Sequence, residues 1–241
     1  MSYANPKPTN PATKFIDFKG DKGVFQYYEK PLNEGDEGKN IEVPYPVKFI
    51  VIDELSTISG FNDKNQCGVY SNEVFNIKNE ILSVRLFKGK EGIIGKYADI
   101  KAEIQSLGGK FCKSVYALMI FNGKTELVNL KVKGSFLNAW IESKINTDQQ
   151  GILIESCEKK KKGSTSYFEP IISGFEITDP DKTLFIAKKY YKILHEFFDK
   201  RKQFIDEQQI VEEETKEETL ITNDGDINPI SITDGSEDLP F

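Results

Sequence analysis

The sequence is poor in the side chains that do most enzyme chemistry: one histidine, three cysteines, two methionines and one tryptophan in 241 residues. Cys67, Cys112 and Cys157 are single and widely spaced, so neither a Cys-x-x-Cys zinc site nor a disulfide framework is signalled, and they are expected to be reduced, partly buried thiols. His195 sits between Leu194 and Glu196 with no cysteine or second histidine nearby. Triads and metal centres need convergent partners, so a structural or surface role is expected for it. No Gly-x-x-x-x-Gly-Lys-Ser/Thr run occurs, and Gly89-Lys90-Glu91-Gly92 and Gly108-Gly109-Lys110 are too short to be phosphate loops. No apolar run approaches the ~20 residues of a membrane span, and Met1 to Phe15 lacks the apolar stretch of a signal peptide. These absences predict a cytoplasmic non-enzyme that uses no cofactor, no metal and no membrane.

Charge is unevenly distributed. From Asp206 onward twelve acids face the single base Lys216, while residues 1–205 hold 31 bases and 26 acids. The net charge of −6 therefore hides a basic body of +5 and an acidic tail of −11. A basic body attracts polyanions through counterion release, and a tethered polyanion competes for the same surface at high effective concentration. The tail closes on Glu237-Asp238-Leu239-Pro240-Phe241. An apolar hook after an acidic run is the pattern of a docking tag, because a solvated Leu-Pro-Phe gains nothing until something binds it.

Hydrophobic content of 38% indicates a folded body, with room for one core of roughly 200 residues. The expected organisation is a flexible leader over 1–13 containing Pro6, Pro8 and Pro11, a folded domain over 14–208, and a disordered tail over 209–241. Strand-like runs dominate the domain: Lys14 to Lys19, Val24 to Lys30, Val47 to Leu55, Gly68 to Phe75 and Ile81 to Phe87. In the last of these, Leu82, Val84 and Leu86 share one face, and Arg85 and Phe87 the other. Tyr97, Ile100, Ile104 and Leu107 predict a short helix stopped by Gly108-Gly109. Asn122-Gly123 predicts a hairpin between Lys110 to Phe121 and Thr125 to Lys133. Ser135 is expected to cap a helix carrying Phe136, Leu137, Trp140 and Ile141. A second hairpin is expected from Ile152 to Lys159 and Thr165 to Ile172, with Lys160 to Ser164 as its loop. Asp179-Pro180 opens one long helix whose apolar stripe runs through Leu184, Ala187, Tyr191, Leu194, Phe198 and Ile205, a face that must be covered by the body or by another copy.

The body thus offers cations interleaved with rings on strands. Single-stranded nucleic acid calls for that pairing, since lysines and arginines follow phosphates while exposed rings stack on unpaired bases. Candidate contacts are Arg85 and Phe87 with Lys88 and Lys90; Lys110, Phe111 and Lys113; and Lys159, Lys160, Lys161 and Lys162 followed by Tyr167. Tyr27 and Tyr28 point to opposite faces, so at most one of them stacks.

At this point the residues resemble a family. An acidic tail ending in Asp-Leu-Pro-Phe is similar to the C-terminal tip of bacterial and phage single-stranded DNA-binding proteins. Gly108-Gly109-Lys110-Phe111 and Leu137-Asn138-Ala139-Trp140 look more like the phage-encoded members. The resemblance implies a mainly β fold with added helices, an OB-fold-like barrel followed by a long helix and a disordered acidic tail. It also implies coating of single-stranded DNA in replication, recombination or repair, with Glu237, Asp238, Leu239, Pro240 and Phe241 recruiting replication or repair proteins. The body lacks the short N-terminal start and Gly-rich early strand of the bacterial members, so their tetramer is not carried over and the oligomeric state stays open. Two rivals remain: a replication adaptor that acts through the tail without touching DNA, and a metal-dependent nuclease built on acids such as the Asp53-Glu54 pair.

Overall fold

Alternating aliphatic and polar residues make most of this chain strand, and the computed structural model assembles eleven strands into one open sheet with three helices. It describes residues 8–31, 33, 35, 37–87 and 92–221, with side chains in the last helix as far as residue 203. The strands are β1 (Lys14–Lys19), β2 (Val24–Glu29), β3 (Lys39–Val43), β4 (Val47–Asn62), β5 (Cys67–Ser71), β6 (Ile81–Leu86), β7 (Gly92–Lys96), β8 (Gly109–Phe121), β9 (Lys124–Val132), β10 (Gly151–Lys162) and β11 (Thr165–Phe175). The helices are α1 (Tyr97–Ser106), α2 (Ser135–Ser143) and α3 (Pro180–Ile221). One compact unit spans residues 10–196; residues 1–9 and 197–241 form a second, in which the remainder of α3 is the main described element.

The sixteen-residue β4 is the spine of the sheet. Its first residues pair with β10, its length pairs with β8, and its last residues pair with β5, while β6 and β7 continue beyond β5. On the other side of β8 come β9, β1, β2 and β3, with β1 and β9 the parallel pair. Asn122 and Gly123 turn β8 into β9 with φ of 50° and 77°, both in the left-handed region that this dipeptide tolerates.

Among the described residues, one core lies on each stretch of β4. Phe18, Phe25, Phe49, Val115, Leu130 and Ile152 belong to the larger, into which α2 inserts Phe136 and Trp140. Burying this many large side chains, each contributing roughly 1.5–3 kcal/mol, is what holds the curled sheet around α2. At the far end of β4, Ile58, Val69, Leu82 and Val84 pack with Ile100 and Ile104 of α1.

The sheet curls until β11 reaches the β1–β2 turn, where the Phe168 N–H donates to Gly20 O at 2.7 Å. A Cβ at Gly23 would lie 2.7 Å from Cys157 Sγ, so this approach needs glycine. Among the described residues no ladder joins β11 to β2 or β3, so strand pairing leaves the sheet open where an OB-fold-like barrel was expected.

Four local expectations change. Ser135 is the first residue of α2 and not its cap: the cap position is Gly134, and the Ser135 hydroxyl donates to Phe168 O at 2.7 Å, tying α2 to β11. Lys160, Lys161 and Lys162 belong to β10, and the turn is made by Gly163-Ser164. Asp179 does cap α3, its Oδ1 accepting the Lys182 N–H at 3.1 Å, but the helix runs to Ile221, through residues 209–221 that the sequence assigned to the tail. Of its expected stripe Leu194 is buried, whereas Leu184 and Tyr191 are exposed. No helix among the described residues is long and apolar enough to cross a membrane.

Candidate nucleic-acid interface

Residues paired directly across strands point to the same face, and alternate residues along a strand share it. The register opposes Lys110 to Ser59, Ser59 to Tyr70, and Tyr70 to Arg85. Lys110, Tyr70 and Arg85 therefore form one row across β8, β4, β5 and β6, and all three are exposed. The next row places Phe61 opposite Gly68, and the Phe87 N–H continues the pairing by donating to Gly68 O at 2.8 Å. Phe61 is 51% exposed and Phe87 57%, so two large rings stand on open surface with a glycine between them. A Cβ on Gly68 would meet no atom within 4 Å, which leaves the floor between the rings vacant.

The resulting patch combines three rings, Phe61, Tyr70 and Phe87, with the cations Arg85 and Lys110, neither of which is paired with a carboxylate among the described residues. Three aromatics within two adjacent rows cost solvent exposure that a monomeric surface seldom carries without use. Sequence reasoning reached Arg85, Phe87 and Lys110 but missed Phe61 and Tyr70. Alternation along β4 and β5 was the available signal for those two; the pairing that gathers them is not visible in either strand alone.

Phe111 and Lys113, expected beside Lys110, point to the opposite face. Phe111 is half-buried, its ring 6.2 Å from that of Tyr97. Lys113 pairs with Glu54, whose other oxygen accepts the Trp140 indole N–H at 2.7 Å. Its charge is already neutralised inside the fold.

The hairpin lysines also divide. Lys160 pairs with Glu169 and, at 2.9 Å, with Glu158; these carboxylates, Glu169 foremost, hold its ammonium well above the usual lysine range. Lys159, Lys161 and Lys162 are exposed and have no carboxylate partner among the described residues. Tyr167, opposite Lys160, is half-buried. β10 leaves β4 at Val47, whereas Phe61 stands at the other end of that strand. The hairpin and the ring patch therefore sit at opposite ends of β4, up to ~50 Å of strand apart. Lys88 and Lys90, and the segment Glu237 to Phe241, lie outside the described residues.

The acids do not converge. Asp53 and Glu54 face opposite sides of β4 after the bulge at Val51/Asp53, the first 2.8 Å from the His195 ring and the second bound to Lys113. Glu73 accepts the Tyr116 hydroxyl at 3.0 Å and also the Ser114 hydroxyl. Among the described residues no group of three or more histidine, cysteine, aspartate or glutamate side chains is placed to hold a metal ion.

No known protein family, curated protein or solved structure matches this chain.

Proposed function

We propose that this protein binds single-stranded DNA without strong sequence preference, on the exposed face carrying Phe61, Tyr70, Arg85, Phe87 and Lys110. The observation that carries the reading is the register itself, which sets three exposed rings beside two cations in adjacent rows of four strands. Rings stack on unpaired bases for roughly 1–3 kcal/mol each, and cations beside them neutralise the phosphates between stacked bases. Lys159, Lys161 and Lys162 would extend the phosphate path at the other end of β4. In this reading the curled sheet with α2 in its core is an elaborated OB-like body, a fold that presents one sheet surface and its neighbouring hairpins to single strands. The acidic segment from Asp206, with Leu239, Pro240 and Phe241 after it, would recruit replication or repair proteins and weaken non-productive DNA contacts. The action is binding, not catalysis.

The test is a salt titration against a single strand and a duplex of the same length. Stacking needs unpaired bases, whereas phosphate contacts alone do not discriminate, so the single strand should bind at least tenfold more tightly at equal salt. Equal affinity for the two overturns the reading.

A further inference from the structure

Beside Lys110 the surface opens into a groove of about 380 Å³ lined by Tyr97, Ile104, Gln105, Gly108, Gly109 and Phe111. The geometry points to this groove as a pocket for one nucleotide of the bound strand, with its base turned out of the run that stacks on the open face. The inference rests on the single-strand reading above and adds a second kind of contact to it.

Four observations carry it. The volume lies at the lower end of the ~300–1,000 Å³ that ligand pockets span, which suits a single nucleotide and not a folded partner. The rings of Tyr97 and Phe111 meet at 56°, with centroids 6.2 Å apart, so a planar guest can lie flat on one while the other closes its edge. Two glycines in the lining let the neighbouring chain segments close up tightly beside it. Gly108 has φ of +83°, and a Cβ on it would lie 2.1 Å from Phe61 O; a Cβ on Gly109 would lie 2.8 Å from Ile104 Cγ2. That same contact joins the groove to the open face, because Phe61 carries the first ring of the patch. Finally, β9 ends opposite Lys113, so among the described residues no strand pairs with the second edge of β8 from Gly109 to Cys112, and the exposed Lys110 and half-buried Phe111 of this stretch line the groove.

Lys110 stands where the two regions meet, exposed on the open face and lining the groove. Its ammonium is placed to hold the phosphate of the nucleotide that turns inward. Gln105, exposed on the rim, supplies an amide that both donates and accepts.

The experiment is photocrosslinking of the full chain to an oligo(dT) strand carrying 5-iododeoxyuridine, followed by peptide mapping, beside affinity measurements on Gln105→Trp and Phe61→Ala. Position 105 is exposed, so the tryptophan fills the groove without replacing a buried side chain. Crosslinks are expected at Tyr97 or Phe111 as well as on the open face, and Gln105→Trp should weaken binding about fivefold and erase only the groove crosslinks. Crosslinks confined to Phe61, Tyr70 or Phe87, with Gln105→Trp binding normally, overturn the groove and leave the open face standing. Normal binding by Phe61→Ala, with no crosslink on the open face, overturns the single-strand reading itself.

Discussion

Tyr70 and Arg85 face each other directly across β5 and β6, both exposed, in a row that continues through Ser59 to Lys110. A ring and a guanidinium in this relation can hold a base and its phosphate together, and the vacant floor over Gly68 lies one row away. Tyr70→Ala and Phe61→Ala should each weaken binding to oligo(dT) about 5- to 100-fold with little change in salt dependence, as expected from the loss of one stacking contact. Arg85→Ala should lower the slope of log affinity against log salt by about 1. Gly68→Leu, which enters open space, should reduce affinity with no loss of thermal stability. Wild-type affinity in the Phe61 and Tyr70 variants would show that the rings serve something other than single strands.

The hairpin lysines provide a contrast within one strand. Replacing Lys159, Lys161 and Lys162 by glutamine should reduce the salt dependence of DNA binding while leaving the unfolding midpoint in place, because none of them is paired with a carboxylate. Lys160→Gln should do the reverse, lowering the melting temperature by leaving the buried Glu169 without its cation. Circular dichroism melts and DNA titrations on the same two proteins separate these outcomes. A stable Lys160→Gln protein with weakened DNA binding would return that lysine to the surface path.

How much of this was legible in the chain depends on whether the cause was local. Asn122-Gly123 announced a hairpin because the dipeptide itself supplies the positive φ values found there. Arg85 and Phe87 were readable as outward-facing because Leu82 and Val84 beside them had to be buried. Phe111 and Lys113 were grouped with Lys110 although alternation alone sends them to the other face. Lys160 looked like its neighbours because its partner Glu169 arrives from the next strand. Phe61 and Tyr70 stayed hidden for the same physical reason: β4 and β5 each carry one, and only their pairing makes a surface. The open sheet, where an OB-fold-like barrel was expected, reflects long-range strand order, which no local pattern encodes.

Glu54 is expected to be a stability residue despite its place beside Asp53. It bridges Lys113 and the Trp140 indole, and Trp140 stacks on Phe49 with ring centroids 6.1 Å apart and planes 6° from parallel. Glu54→Ala leaves two donors without acceptors, at a cost of about 2–3 kcal/mol. Urea unfolding followed by fluorescence of this single tryptophan should show the earlier midpoint together with an altered native emission. Glu54→Gln, which can still accept from the indole, should recover part of the loss. A midpoint unchanged in Glu54→Ala would mean that the side chains repack around the gap.

Cys112 gives a pH dependence whose sign is fixed by burial. Desolvation pushes its thiol up from 9.0 to about 11, against the lowering influence of Lys131 and Lys133, and its Sγ lies 3.5 Å from Thr57 O. The unfolded chain therefore releases this proton from about pH 9, while the folded protein keeps it until about pH 11. Stability from this group is complete below pH 9 and falls as pH rises toward 11, by up to about 1.4 kcal/mol per pH unit and about 2–3 kcal/mol in total. Other groups titrate in the same range, so the informative quantity is the difference between the wild-type curve and that of Cys112→Ala. The variant is expected to be less stable near pH 7 because a buried group is removed, and its deficit should shrink between pH 9 and 11. Alkylation at pH 8 offers an independent reading: Cys67 and Cys157, both partly exposed, should react before Cys112, which stays protected until the protein unfolds. Stability curves that stay parallel through pH 11, or early modification of Cys112, would place that thiol in contact with solvent.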